Sequence, residues 1–382
     1  MAERDISFAD LPAALVQEIL DQTTTVSTSL LSTFEHLNVE RETYRQDMLS
    51  HGLILQESSL GYPPLPTTCA TDGSYGIERL LTADLVAAAA VAVEGLTPPS
   101  EQRFWEQPRH MTFVKAEVHH METATVLRAV MLGYELMLAT RAPHDLVMLD
   151  GTFTLPIIYF NQALNAAPNS QFLSCSQEFL EQSCTYLEAY ASLLKSERSD
   201  KNFIALPKYS TRREIGHLMN WPGEHDDRGL LTLTLRAGEL TRPIALEQPE
   251  QEWHLYVSQL PQDIRGRAQD LAREIPNLLK QVHVIYYKPH DWLPALRIEL
   301  SASAATNAQR LASIIQGLKY QCATPGMLEP YPQYLADRTV KSTAKSLPAF
   351  RQFTTQQIAE RYVGDVGEVF FAMHGYRSEA GG

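Results

Sequence analysis

The chain has 382 residues, 44% of them hydrophobic and 20% charged, the balance of an ordinary globular protein. A formal net charge of −13 excludes a protein that coats nucleic acid by neutralising phosphates over a broad basic face. The longest apolar run, Leu85–Val93, is far short of the roughly 20 residues that span a bilayer, so no membrane segment is expected.

Residues 1 to about 60 read as helical: Asp10-Leu11-Pro12 offers a helix start with proline in the first turn, and Leu15, Ile19 and Leu20 recur at helical spacing. Tyr62-Pro63-Pro64-Leu65-Pro66 closes that segment. The uncharged run Thr67–Ala70 then leads into Thr71-Asp72-Gly73-Ser74, read as a strand that stops at its aspartate. Leu85–Val93 is rich in alanine, which favours a helix, but Gly95 and Pro98-Pro99 bound it as they would a buried strand, and it is assigned to a strand. Met111–Val118 alternates partially and is a further strand, and Glu122–Leu138 carries Val126, Ala129, Val130, Gly133 and Leu136 at helical period. Leu146-Val147-Met148-Leu149 runs into Asp150-Gly151-Thr152, a second strand ending on aspartate. A long amphipathic helix over Phe172–Arg198 precedes a short strand, Phe203–Leu206, that ends at Pro207-Lys208. After a polar loop from Asn220 to Asp227, strands are expected at Leu230–Leu235, Trp253–Val257, His283–Lys288 and Leu296–Leu300. Asn307–Tyr320 returns to helix, and Pro330-Tyr331-Pro332 precedes a last helical run. No internal repeat or low-complexity tract is present, which sets solenoids and propellers aside. The length suits two or three domains, or one elaborated α/β domain with an added helical segment.

The two Asp-Gly segments carry the chemistry. An apolar run ending in Asp, then Gly able to take positive φ, holds a carboxylate at a rigid strand tip while the backbone turns away. Asp72 and Asp150 are far enough apart for a hairpin or two and a helix between them, so both tips can lie side by side in one sheet and share a divalent cation. That arrangement points to metal-assisted phosphodiester hydrolysis, in which two ions about 3.5–4 Å apart need three or four converging carboxylates. All-oxygen ligation favours Mn²⁺ or Mg²⁺ over Zn²⁺. The acidic balance does not oppose this, because bound cations reverse the local field. Neither a Walker-type loop nor a Gly-x-Gly-x-x-Gly turn occurs, so use of ATP or a dinucleotide by this chain is not expected. The four cysteines, Cys69, Cys175, Cys184 and Cys322, show neither metal-ligand spacing nor a disulfide framework, and no basic-then-apolar leader opens the chain; a cytoplasmic location with reduced thiols is expected. Other clusters rank lower. His119 and His120 point to opposite faces of a strand, Glu224-His225-Asp226-Asp227 reads as a solvated acidic loop, and His290 within Lys288-Pro289-His290-Asp291-Trp292 is a candidate proton donor only.

Five segments in one order resemble the NurA nuclease family: Ala70-Thr71-Asp72-Gly73-Ser74, Leu146–Thr152, Ala205-Leu206-Pro207-Lys208-Tyr209-Ser210, Arg297-Ile298-Glu299, and Pro330-Tyr331-Pro332 with Leu335-Ala336-Asp337-Arg338. The resemblance spans roughly residues 66 to 345. It implies an RNase H-like α/β fold with a mixed sheet flanked by helices, and activity as a metal-dependent DNA nuclease, exo- or endonucleolytic. It also implies a homodimer fed with DNA by a HerA-type hexameric ATPase, in end resection for DNA repair or in anti-phage defence. On this resemblance Asp72, Glu122 and Asp150 hold Mn²⁺ or Mg²⁺, two ions per site, with Glu117 and Glu135 as alternatives to Glu122. Lys208 meets a phosphate as a point charge, and Asp337 completes the site. Registered on Ala336-Asp337, the family's leading tyrosine falls on Glu329, with Tyr331 two places later. The expected organisation is an N-terminal helical segment (1–62), the nuclease domain (66–345) and a C-terminal helix and tail (346–382). The N-terminal helices, or the tail 364–382 with Val369-Phe370-Phe371 as an apolar anchor, are candidate ATPase-docking surfaces. Two rival readings are an inactive NurA-like scaffold of an ATPase complex and a phosphohydrolase acting on nucleotides.

Overall fold

The computed structural model describes residues 11–96, 109–223 and 225–381, so Asp10, Pro98-Pro99, Glu224 and Gly382 lie outside the described residues. The contacts divide the chain after Leu53. The first unit contains helices α1 (Leu11–Asp21) and α2 (Thr23–Ser50). The helical reading holds as far as Ser50 and fails beyond it, because Ile54–Gln56 forms a strand and Glu57–Leu60 a single 3₁₀ turn.

The second unit starts with that strand, β1 (Ile54–Gln56), followed by β2 (Thr68–Leu80), β3 (Asp84–Glu94), β4 (His110–Glu117), α3 (Thr123–Arg141), β5 (Leu146–Asp150), α4 (Leu155–Ala166) and α5 (Ser174–Lys195). The chain continues through β6 (Asn202–Leu206), α6 (Glu214–Leu218), α7 (Asp227–Thr234), β7 (Glu239–Thr241), β8 (Ile244–Ala245), α8 (Gln262–Leu279), β9 (His283–Lys288) and β10 (Leu296–Leu300). It closes with α9 (Ala302–Ala305), α10 (Ala308–Gln321), α11 (Tyr331–Arg361), α12 (Val366–Ala372) and β11 (Gly375–Gly381). The expected boundary at residue 345 falls inside α11.

One eleven-stranded mixed sheet organises the unit, in the order β1-β7-β9-β10-β6-β5-β2-β3-β4, with β8 paired to β9 and β11 to β2. Strand β5 runs parallel to both β2 and β6, so the middle of the sheet is parallel and its flanks antiparallel. This is the mixed sheet flanked by helices that the sequence leads one to expect. Strands β2 and β3 are buried along almost their whole length, as strands covered on both faces are. The alanines Ala87–Ala90 make that possible in β3: their small side chains let α3 and α11, which both contact β2 and β3, come close to the sheet. The strand assignment for Leu85–Val93 is correct for this reason, despite alanine's helical preference. A core of Ala70, Leu146, Met148, Ile204 and Ile298 packs against Ile314 and Leu318 of α10 and Ala336 of α11.

Two expected strands are not found. Leu230–Leu235 lies mostly within α7, because the Asp226 side chain caps that helix by accepting from the Gly229 amide at 2.9 Å, and Leu230, Leu231 and Thr234 then turn one face inward. Trp253–Val257 is irregular; its Tyr256 amide donates to Asn161 Oδ1 at 2.9 Å in place of a strand partner. Among the described residues no helix is long and apolar enough to cross a membrane.

Candidate metal centre

Strand β5 ends at Asp150, where Gly151 at φ 84° turns the chain away, as the sequence suggests. Asp72 differs. It is an interior residue of β2, which continues to Leu80 because β3 pairs with it from Cys69 to Arg79. The glycine after it therefore makes no turn. A Cβ on Gly73 would come within 2.7 Å of Met131 Cγ, so this glycine allows the close approach of α3 to the sheet. The strands β2 and β5 are parallel and in register, Thr71 level with Leu149, which brings the next residues, Asp72 and Asp150, side by side.

Helix α11 supplies the third carboxylate. Gln333, one turn before Asp337, donates its Nε2 to Asp150 Oδ1 at 2.8 Å and to the Leu206 carbonyl at 3.1 Å, which fastens the helix start to the tips of β5 and β6. One oxygen from each of Asp72, Asp150 and Asp337 then lies within 4.8 Å of the others. Lys208, just past β6, places its Nζ 3.0 Å from Asp150, 3.0 Å from Glu329 and 3.1 Å from Asp337; Lys341 also reaches Asp337, at 2.8 Å. Around these groups is a cleft of about 520 Å³, lined also by Glu135, Arg128, Tyr75, Tyr159 and Tyr209.

Burial and mutual repulsion oppose the ionisation of these carboxylates, and the neighbouring lysines offset this unevenly. Burial pushes the Asp72 carboxyl up to about 8, with Asp150 and Asp337 adding to the rise against the pull of Lys208 and the Gly73 amide. Glu135 on α3 is held well above the usual carboxylate range, by burial first and then by Asp72 and Asp150. Burial also raises Glu329, although Lys208 opposes it. Asp337 moves the other way: burial works against its charge, but its bonds to Lys341 and Lys208 outweigh that and lower it. For Lys208 burial disfavours the charge, and the surrounding carboxylates more than restore it.

The structure thus brings together Asp72, Asp150, Lys208 and Asp337 of the residues singled out from sequence. It does not bring Glu122 to them, and this corrects the preferred choice. Glu122 immediately precedes α3, its amide bonded to His120 Nδ1, whereas Glu135 is thirteen residues on, about 20 Å along the helix, and lines the cleft together with Asp72 and Asp150. Glu117 is occupied elsewhere: its carboxylate caps α5 by accepting from the Ser174 and Cys175 amides at 3.0 and 2.8 Å. Glu135 has a signal of its own, as the one carboxylate within α3. Glu329 and Gln333 were missed as members of the site. Glu329 stands at the position where the resemblance expects a tyrosine, and only the pairing with Lys208 reveals its place. The lower-ranked clusters are structural: His119 pairs with Asp84, Asp227 caps α6 through the Ile215 and Gly216 amides, and His290 stacks on Trp292 at 4.4 Å, outside the cleft lining.

A NurA domain model matches residues 66–341, well over half the chain. The chain belongs to the NurA domain family. The crystal structure of the NurA nuclease from Sulfolobus solfataricus aligns with a TM-score of 0.58 at 13% identity, over 91% of this chain and 98% of that one. A crystal structure of NurA with manganese aligns at 0.53 and 14% identity, over 91% and 99%. At such identities the likeness is one of fold, and it extends over nearly the full length of the NurA chains. No curated protein sequence matches this one.

Proposed function

We propose that this protein is a metal-dependent nuclease that hydrolyses phosphodiester bonds in DNA. The observation that carries the reading is the convergence of Asp72, Asp150 and Asp337 in the lining of a cleft in a NurA domain, with Glu135 in the same lining and Glu329 paired to Lys208 beside them. The donor set fits Mn²⁺ or Mg²⁺: every candidate ligand is a carboxylate oxygen, and the raised Asp72 and Glu135 show an excess of buried acid that a divalent cation relieves. Asp72, Asp150 and Asp337 would hold the metal, with Glu135 in the cleft beside them, and the number of carboxylates suits two ions. A divalent ion held by these residues would supply water activation and charge stabilisation at the leaving oxygen. The chain's own residues do the rest. Rigid parallel strands fix Asp72 and Asp150, Gln333 orients Asp150, and Lys208 holds the three carboxylates around it in place rather than standing free for a phosphate.

A second reading has one observation in its favour. The Lys208 ammonium among Asp150, Glu329 and Asp337 is a built-in counter-cation, as an inactive scaffold would retain. Cleavage of end-labelled linear and single-stranded DNA with Mn²⁺, Mg²⁺ or EDTA, in wild type, Asp72→Asn and Asp150→Asn, separates the two. Metal-dependent cleavage lost in both variants supports the nuclease, and no cleavage under any condition supports the scaffold. The acidic exterior is consistent with DNA delivery by a partner, and we assign that role to a HerA-type ATPase acting on a homodimer, in repair or phage defence. Phe370 and Phe371 on α12, exposed by 61% and 74%, are apolar candidates for the docking surface, as are the exposed Leu15, Ile19 and Leu20 of α1, whereas Val369 is buried.

A further inference from the structure

Arg128 stands apart from the other cations of the cleft. Lys208 is surrounded by three carboxylates and Lys341 is bonded to Asp337, so each already has its counter-charge. Arg128 has no carboxylate partner among the described residues. Its Nη2 donates to Tyr75 Oη at 2.9 Å, and its guanidinium carbon lies 4.7 Å from the ring centre of Tyr159 and 5.5 Å from that of Tyr75. Rings and a phenol hydroxyl set the plane of the guanidinium and leave its charge uncancelled. All three residues line the cleft. In a chain with a net charge of −13, this is a prepared anion site.

Position decides which anion it takes. Arg128 and Glu135 are seven residues apart on α3 and share a face, two turns or about 10.5 Å from one another along the axis. That separation of the two helix positions, with the guanidinium held on Tyr75 and Tyr159, favours an anion other than the group being attacked at the carboxylates. We infer that Arg128, oriented by Tyr75 and Tyr159, binds a backbone phosphate of the DNA strand at a distance from the bond that is cut; this rests on the nuclease reading above. The bidentate fork of arginine suits a phosphate, and its contribution is to affinity and register rather than to bond cleavage.

The test compares wild type, Arg128→Gln and Arg128→Lys in binding a long fluorescent oligo-dT over a range of salt concentrations, with Ca²⁺ in place of the reactive metal. Cleavage of long and dinucleotide substrates with Mn²⁺ is measured alongside. Arg128→Gln is expected to flatten the slope of log K against log salt by about 0.7, the value of one phosphate contact on a single strand. It should raise KM on the long substrate, leave kcat near wild type and leave dinucleotide cleavage unchanged. Arg128→Lys keeps the slope, because the charge remains, and recovers part of the KM. An unchanged slope in Arg128→Gln, or equal losses on long and dinucleotide substrates, overturns the inference. A wild type that binds the oligonucleotide without cutting it removes the nuclease reading, and the salt slope still decides Arg128.

Discussion

Asp72→Asn should make the metal-free protein more stable at alkaline pH while destroying its metal site. The Asp72 carboxyl titrates near 3.8 in the unfolded chain and near 8 in the folded one. A raised folded value means that its contribution to stability is complete below pH 3.8 and is lost as pH climbs to 8, because the unfolded chain releases the proton first. Roughly four pH units at about 1.36 kcal/mol each set an upper limit of about 5 kcal/mol. Since Glu135 and Asp150 share in the same excess of charge, about half of that is a fair expectation. Asparagine keeps an oxygen to accept from the Gly73 amide, now 2.8 Å away, so local geometry is preserved. Urea unfolding in EDTA at pH 5 and pH 8 reads the effect. Wild type should lose about 2 kcal/mol more than the variant between the two, because the buried Glu135 still titrates in both. Saturating Mn²⁺ at pH 8 should restore wild type, by about 2.7 kcal/mol at a hundredfold excess over Kd, and leave the variant unmoved. A variant whose stability falls with pH as steeply as wild type would refute the placement of Asp72 in a carboxylate cluster.

Other substitutions test separate parts of the structure. Glu135→Gln should abolish the Mn²⁺-induced shift in unfolding midpoint with little loss of metal-free stability, whereas Glu122→Gln should leave both metal binding and cleavage as in wild type; the reverse result would restore Glu122. Glu117→Gln weakens the cap of α5 and should cost about 1 kcal/mol in urea unfolding without changing metal binding. Gly73→Ala forces Met131 aside and should cost about 1–3 kcal/mol, with metal affinity reduced as α3 withdraws from β2. Arg297→Met leaves Glu214 and Glu299 buried without their partner, and a loss of about 3–5 kcal/mol is expected by the same measurement.

Features set by neighbouring residues were legible in the sequence, and features set by distant pairing were not. Asp150-Gly151 forms the strand end it spells, because the turn needs only a glycine at positive φ. The identical dipeptide at Asp72-Gly73 does not, since β3 extends the ladder past it and α3 takes the space a side chain would fill. Leu230–Leu235 has the composition of a strand, and a cap four residues earlier made most of it a helix. The carboxylate on α3 shows the same division. Helical periodicity locates α3 correctly, but only the docking of that helix on β2 decides which of its ends meets the aspartates, and it is the end bearing Glu135. Glu329 and Gln333 join the site through the seating of α11 on β5 and β6, which nothing local encodes.

The pairing of β11 with β2 affects how the C-terminal segment can be studied. Strand β11 occupies the side of β2 over Tyr75–Leu80 that β5, ending earlier, leaves open. Deleting residues 364–382 therefore uncovers a row of amide and carbonyl groups on the very strand that carries Asp72 and Tyr75, a template for edge-to-edge aggregation. A truncated protein that failed to bind a partner or to cut DNA would report damage to the sheet as readily as loss of a docking site. Exchange of Phe370 and Phe371 for serine leaves the ladder whole, and it separates the adhesive role of the segment from its architectural one.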